Sequence, residues 1–183
     1  MNISFPEKIT HLTHLTLIGG FDRPIDGCIP SSVIYLKFGN KFNQPIDGCL
    51  PSTMTHLIFG SNFNYPIKNN LPALTHLVLG KKFNYFGDSK NYYICKKSIW
   101  NLNLTHLVFD ESFNNNISGC IPSIVTHIYI CGNCYQHIEN YIPLTVQHIY
   151  FQKTTTERKK YIEKMLPKHN IHFEDIKNGT LKN

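Results

Sequence analysis

Histidine is the residue most able to do chemistry in this sequence, and it recurs in series as His14, His56, His76, His106, His127 and His148, with Tyr35 in the second place. Neutral imidazole is the commonest metal ligand, so a row of it invites a metal-binding reading. A closed metal site needs ligands that converge, whereas a repeated position spaces them along a line. Ring stacking and hydrogen bonds to the neighbouring Thr hydroxyls account for the row without a metal. Either way, protonating several stacked rings below about pH 6 should destabilise the face that carries them. The second candidate is Cys131-Gly132-Asn133-Cys134, a C-x-x-C that can signal zinc or redox chemistry, with His137 and Cys120 as possible further ligands. No second C-x-x-C accompanies it, and Cys134 falls where the repeat places a buried Phe. Cys28, Cys49 and Cys120 share one turn position, where a compact thiol fills space between coils. Acidic residues are few and lie mainly in turns. No nucleophile–base pair and no glycine-rich phosphate loop emerges, so neither an enzyme nor a bound cofactor is expected.

These residues are positioned by a repeat. Centred on His14, Tyr35, His56, His76, His106, His127 and His148, the spacings are 21, 21, 20, 30, 21 and 21 residues. An apolar residue stands two positions before each centre (Leu12, Val33, Met54, Leu74, Leu104, Val125, Val146). Two more stand one and three positions after it, as in Leu15 with Leu17 and Leu36 with Phe38. Together they spell L-x-x-L-x-L, the strand portion of a leucine-rich repeat. The alternation requires a half-buried strand, with the His position and the one two residues on pointing outward. Turns follow in phase: Phe21-Asp22-Arg23-Pro24-Ile25, Phe42-Asn43-Gln44-Pro45-Ile46 and Phe63-Asn64-Tyr65-Pro66-Ile67, then Gly27-Cys28-Ile29-Pro30 and Gly48-Cys49-Leu50-Pro51. The reading is a mainly β solenoid of about seven short coils over residues 1–152, with a parallel sheet on one face and irregular structure on the other. Stacking is obligatory, since one coil cannot bury its apolar face alone. The doubled Thr10-His11-Leu12-Thr13-His14-Leu15 leaves the first strand free to slip by three residues, Pro6 favouring His11 and Phe21 favouring His14.

The recurring Phe-Asn-x-Pro-Ile, with Leu-Pro-x-x-x-Thr-His-Leu between units, resembles the FNIP repeat over about residues 6–152. That family is a branch of leucine-rich repeats abundant in social amoebae and in giant viruses infecting amoebae. The resemblance implies a protein-interaction scaffold. Some members carry an F-box at the amino end and are thought to present substrates to a ubiquitin ligase. Only a dozen residues precede the first strand here, fewer than an F-box needs, so no residue is assigned to that contact.

Charge narrows the partners. The chain has 183 residues and a formal net charge of +6. Residues 1–152 hold ten Lys/Arg against eight Asp/Glu, while residues 153–183 hold eight against four. The repeat body is thus near neutral, with no basic stripe for nucleic acid. No stretch approaches the roughly 20 apolar residues of a membrane span. The amino end lacks a signal-peptide pattern, so the six Cys read as thiols in a reducing cytoplasm.

Two places stand out as binding sites. The second outward column turns apolar or aromatic from Ile58 through Val78, Val108, Tyr129 and Tyr150, beside His76, His106 and His127. Exposed apolar patches mark partner surfaces, and solenoids bind on their sheet face. The long spacing between His76 and His106 inserts an aromatic segment at about 85–100 that contains Tyr92, Tyr93 and Trp100. It reads equally as a binding loop or as cover for the convex side. After Phe151, Thr154–Glu157 resembles a helix N-cap and predicts a capping helix over about 156–166 with Tyr161, Ile162, Met165 and Leu166 as its apolar stripe. Ile171-His172-Phe173 would complete a cap over 153–176, and 177–183 would be a disordered tail. The expectation is a monomeric, non-enzymatic protein-interaction scaffold, with an adaptor role in ubiquitin-dependent turnover implied by the resemblance. The alternatives are metal binding through the His column or Cys131/Cys134, and nucleic-acid binding through the basic carboxyl-terminal segment.

Overall fold

A computed structural model describes residues 11–67, 71–83, 103–110, 113, 121–131, 142–152 and 154–174. Eight short strands form one parallel sheet in sequence order: β1 (His14–Leu17), β2 (Tyr35–Phe38), β3 (His56–Ile58), β4 (His76–Leu79), β5 (His106–Phe109), β6 (His127–Cys131), β7 (His148–Gln152) and β8 (Asn170–Glu174). One helix, α1 (Thr156–Met165), sits between β7 and β8. The register aligns every repeat column: Tyr35 pairs with His56, His56 with His76, and so on to His127 with His148. The first strand adopts the His14 register, which Phe21 favoured.

Alternation becomes burial. Strands β4 and β7 read half-buried, buried, half-buried, buried from their His onward. Leu36, Leu57, Leu77, Ile128 and Ile149 are fully buried, as are Ile25 and Ile46 on the far side of each coil. Between them runs a phenylalanine spine. Phe38 stacks on Phe42 at 3.9 Å and Phe59 on Phe63 at 3.7 Å, while Phe63 sits 6.0 Å from both Phe42 and Phe83. The coils of β2 and β3 thus each contribute a ring pair, and the two pairs stack along the axis, with Phe38 5.5 Å from Phe59.

Turn chemistry closes each coil. Cys28 donates its N–H to the Ile25 carbonyl and Cys49 to that of Ile46, with Gly27 and Gly48 at φ +63° and +73° in the third turn position. That left-handed geometry is open to Gly at no steric cost. Side chains tie coil to coil: Asp22 Oδ1 accepts from the Asn43 N–H at 2.8 Å, and Asn43 Oδ1 accepts from the Asn64 N–H at 2.9 Å. Asp22 also accepts from the Gln44 amide, and these bonds lower its pKa below the ordinary Asp value.

Past the strands the coils pinch. A Cβ on Gly60 would lie 2.6 Å from the Gly39 carbonyl carbon, and one on Gly80 would run into the Gly60 carbonyl oxygen. Backbone cannot yield as a flexible side chain can, so Gly60→Ala should cost about 2–3 kcal/mol. The melting temperature should fall by roughly 5–10 °C for a chain of this size. Gly20→Ala, with open space at its Cβ, is the control and should melt like the parent. Equal melting of both variants would mean the coils are not pinched there.

The carboxyl end departs from expectation in two ways. Ile171-His172-Phe173 does not merely cap the last coil, because it lies in an eighth strand paired in register with β7. His172 thereby joins the second outward column beside Tyr150, and Phe173 follows Phe151. The signal for it was only three alternating residues with no repeat turn before them. Helix α1 buries Ile162 and Leu166, but Tyr161 and Met165 stay 50% and 37% exposed. Ile162 and Leu166 are four apart and share one face, whereas their preceding neighbours are rotated off it. Thr155 is the N-cap without a side-chain bond, and Lys159 lies 5.1 Å from the Phe173 ring centroid. The aromatic insertion with Tyr92, Tyr93 and Trp100, and the tail from 177, lie outside the described residues.

Candidate functional site

The outward side of the sheet carries two parallel columns. In the first, the rings stack strand upon strand. His56 lies 4.1 Å from His76, His76 lies 4.1 Å from His106, His106 lies 4.4 Å from His127, and His127 lies 4.8 Å from His148. Interplanar angles of 9°, 15° and 13° over the first three pairs keep these imidazoles nearly parallel. Toward β1 the ladder loosens, with Tyr35 5.2 Å from His14 and 5.8 Å from His56. The cause is the in-register parallel pairing, which puts identical positions about 4.8 Å apart.

The four inner histidines are each held by the residue before them. Thr55, Thr75, Thr105 and Thr126 place Oγ1 at 2.8–2.9 Å from Nδ1 of His56, His76, His106 and His127. Burial and the neighbouring imidazoles push all four histidines below their usual pKa. Burial is the larger cause at each, and His76, flanked by His106 and His56, falls to about 4. At neutral pH these rings are uncharged.

Nearly parallel rings face one way along a line, so their nitrogens do not converge on a point 2.0–2.1 Å from each, as a zinc ion requires. Among the described residues, no group of three or more His, Cys, Asp or Glu is placed to hold a metal ion. Cys131 is half-buried at the end of β6, and Cys134, Cys120 and His137 lie outside the described residues. Cys49 is buried, and its thiol is pushed up to about 11 by burial first and then by Asp26. This fits a space-filling residue rather than a reactive one.

The second column runs Thr16, Lys37, Ile58, Val78, Val108, Tyr129, Tyr150, His172. Ile58, Val78, Tyr129 and Tyr150 are half-buried, leaving apolar surface accessible. Val108 is the exception. It stands in the outward register yet is 7% exposed, a short branched side chain flanked in register by Val78 and Tyr129. It supports the surface rather than forming it. Tyr129 stacks on Tyr150 at 4.3 Å and 6°, and Tyr150 on His172 at 4.5 Å. His172 also reaches across, its Nε2 3.0 Å from His148 Nδ1 where Gln147 replaces the usual Thr. The structure thus brings His76, His106, His127, Ile58, Val78, Tyr129 and Tyr150 onto one face and adds His172, which repeat counting ended too early to find.

A one-sided parallel sheet of stacked coils with an apolar and aromatic outward strip defines a leucine-rich-repeat-like solenoid. No described helix is long and apolar enough to cross a membrane. More particularly, the amino-terminal part of the chain carries FNIP repeats: the FNIP Repeat family profile matches residues 2–41, 21–62 and 42–82. A solved structure, CroV588 from a giant virus, described as a novel circular leucine-rich-repeat protein, is similar over 95% of this chain, with 32% identity and a TM-score of 0.66. The chain spans 26% of that protein's length. No curated protein matches the chain.

Proposed function

We propose that the protein is a non-enzymatic, cytoplasmic scaffold that binds a protein partner on the outward sheet face, centred on Ile58, Val78, Tyr129 and Tyr150 beside the histidine ladder. The observation that carries this reading is an apolar and aromatic strip left half-accessible on β3, β4, β6 and β7 of a repeat fold. Solenoids present such extended surfaces to partners, and Tyr anchors are typical of binding hot spots. The finer role, an adaptor in ubiquitin-dependent turnover, rests on the family resemblance.

The test is capture from a host lysate with the intact chain and with Tyr129→Ala/Tyr150→Ala. Val108 is left alone, since truncating a buried residue opens a cavity. Loss of both rings should weaken a specific partner by 2 kcal/mol or more, roughly thirtyfold, with little change in melting temperature. A partner held equally by both forms would place the binding surface elsewhere.

A further inference from the structure

The orientation of each histidine proton follows from a competition for the Thr hydroxyl. The main-chain carbonyl at each Thr-column position already accepts two N–H groups from the next coil. Ile34 takes those of Thr55 and His56 at 2.8 and 3.0 Å, Thr55 those of Thr75 and His76 at 3.0 Å each, and Thr105 those of Thr126 and His127 at 3.0 Å each. Two donors occupy both lone pairs of a carbonyl oxygen. The Thr hydroxyls lie 3.3–3.4 Å from those carbonyls at Thr75, Thr105 and Thr126, and 3.0 Å at Thr55. Every one of them is nearer to an imidazole Nδ1, at 2.8–2.9 Å. The rotatable hydroxyl proton therefore goes to Nδ1, and the ring proton sits on Nε2. The ladder is a row of outward N–H donors.

The aromatic neighbours have the same polarity. Tyr129, Tyr150 and His172 occupy one another's faces, so what they turn outward is ring edge, the positive part of the quadrupole. Neither outward column contains an Asp or Glu from β1 to β8, and Lys37 adds a cation. The acids next to these columns, Asp110 and Glu174, stand at the carboxyl ends of β5 and β8.

We propose that the sheet face takes an acidic amphipathic polypeptide segment, its carboxylates on the Nε2–H row of His56, His76, His106 and His127 and its aliphatic side chains on the strip from Ile58 to Tyr150. The inference rests on the sheet-face reading above and specifies the partner's chemistry. The strip from β3 to β7 covers four strand spacings, roughly 19 Å, the length of about thirteen helical residues. A nucleic acid also offers acceptors, but one cation and an apolar strip suit a polypeptide better than a phosphate backbone, which is bound chiefly by Lys and Arg.

Two measurements on the full chain test this. Imidazole ¹⁵N spectra at pH 7.5 should assign the Nε2–H tautomer to His56, His76, His106 and His127; Nδ1–H at these rings would overturn the proposal. Three sixteen-residue amphipathic helical peptides with the same Leu face and Glu, Gln or Lys on the flank are then titrated, beside a single-stranded oligonucleotide. The Glu peptide should bind at least tenfold tighter than the Lys peptide, with the Gln peptide between them. His76→Phe/His106→Phe, which keeps ring stacking, should erase the difference. A preference for Lys, equal binding of all three, binding of none, or tighter binding of the oligonucleotide would each overturn it. If all three bind alike and Tyr129→Ala/Tyr150→Ala abolishes them, the acidic partner is wrong while the sheet-face site stands. If the Glu peptide binds as tightly after Tyr129→Ala/Tyr150→Ala as before, the location fails as well.

Discussion

Phe63→Ala should unfold a large share of the protein's margin of stability, costing about 4 kcal/mol. Phe63 is fully buried and touches three other rings of the spine, with Phe59 at 3.7 Å and Phe42 and Phe83 at 6.0 Å on either side. Removing it takes away the transfer free energy of a ring and leaves a void that stacked coils cannot close, because each coil is pinned to its neighbours by main-chain bonds on the sheet side. Domains are stable by only about 5–15 kcal/mol, so the variant should show a sharply lower urea midpoint. Phe63→Leu should recover part of the loss by refilling volume. The position also separates two views of the spine. If stacking along the axis carried little, Phe63→Ala would cost no more than burying an isolated side chain, about 2 kcal/mol, and the leucine variant would be nearly silent.

The spine explains what could and could not be read from the chain. Fold and register were legible because a 21-residue period forces identical side chains into one column, so Leu57 and Leu77 had to be buried if either was. The same logic put His56 beside His76. It failed where the period ends. Strand β8 follows a helix instead of a repeat turn, and only the alternation of Ile171, His172 and Phe173 pointed to it. It also could not resolve degrees of burial within an outward column. Val108 and Val78 hold the same position, yet only Val108 is buried. The double occupancy of the preceding coil's carbonyls, from which we infer the ladder's tautomer, was likewise invisible to the repeat.

Acid should strip the sheet face of its stability well before the rest of the protein fails. In the folded chain His56, His76, His106 and His127 are held below the ordinary value of 6.5, His76 at about 4, by burial first and then by one another. In the unfolded chain each titrates near 6.5. Between those values the unfolded state binds protons that the folded state refuses, so stability falls as pH drops from about 6.5 and levels off near pH 4, below which both states are protonated. The full His76 shift would correspond to about 3 kcal/mol, and water at the sheet face screens this to on the order of 1–2 kcal/mol. The other three add in the same direction. His14, Tyr35, Lys37, Tyr129, His148, Tyr150 and His172 are the further titratable groups of the two columns. None is an acid, so the nearest carboxylates are Asp110, just past β5, and Glu174, at the end of β8. Urea midpoints measured from pH 7.5 to 4 should therefore decline steeply across the histidine range. His76→Phe/His106→Phe keeps two rings in the stack but removes two proton sites, and its decline should be shallower by roughly 2 kcal/mol over that interval. A parent and variant with parallel profiles would assign the acid sensitivity to groups outside the ladder.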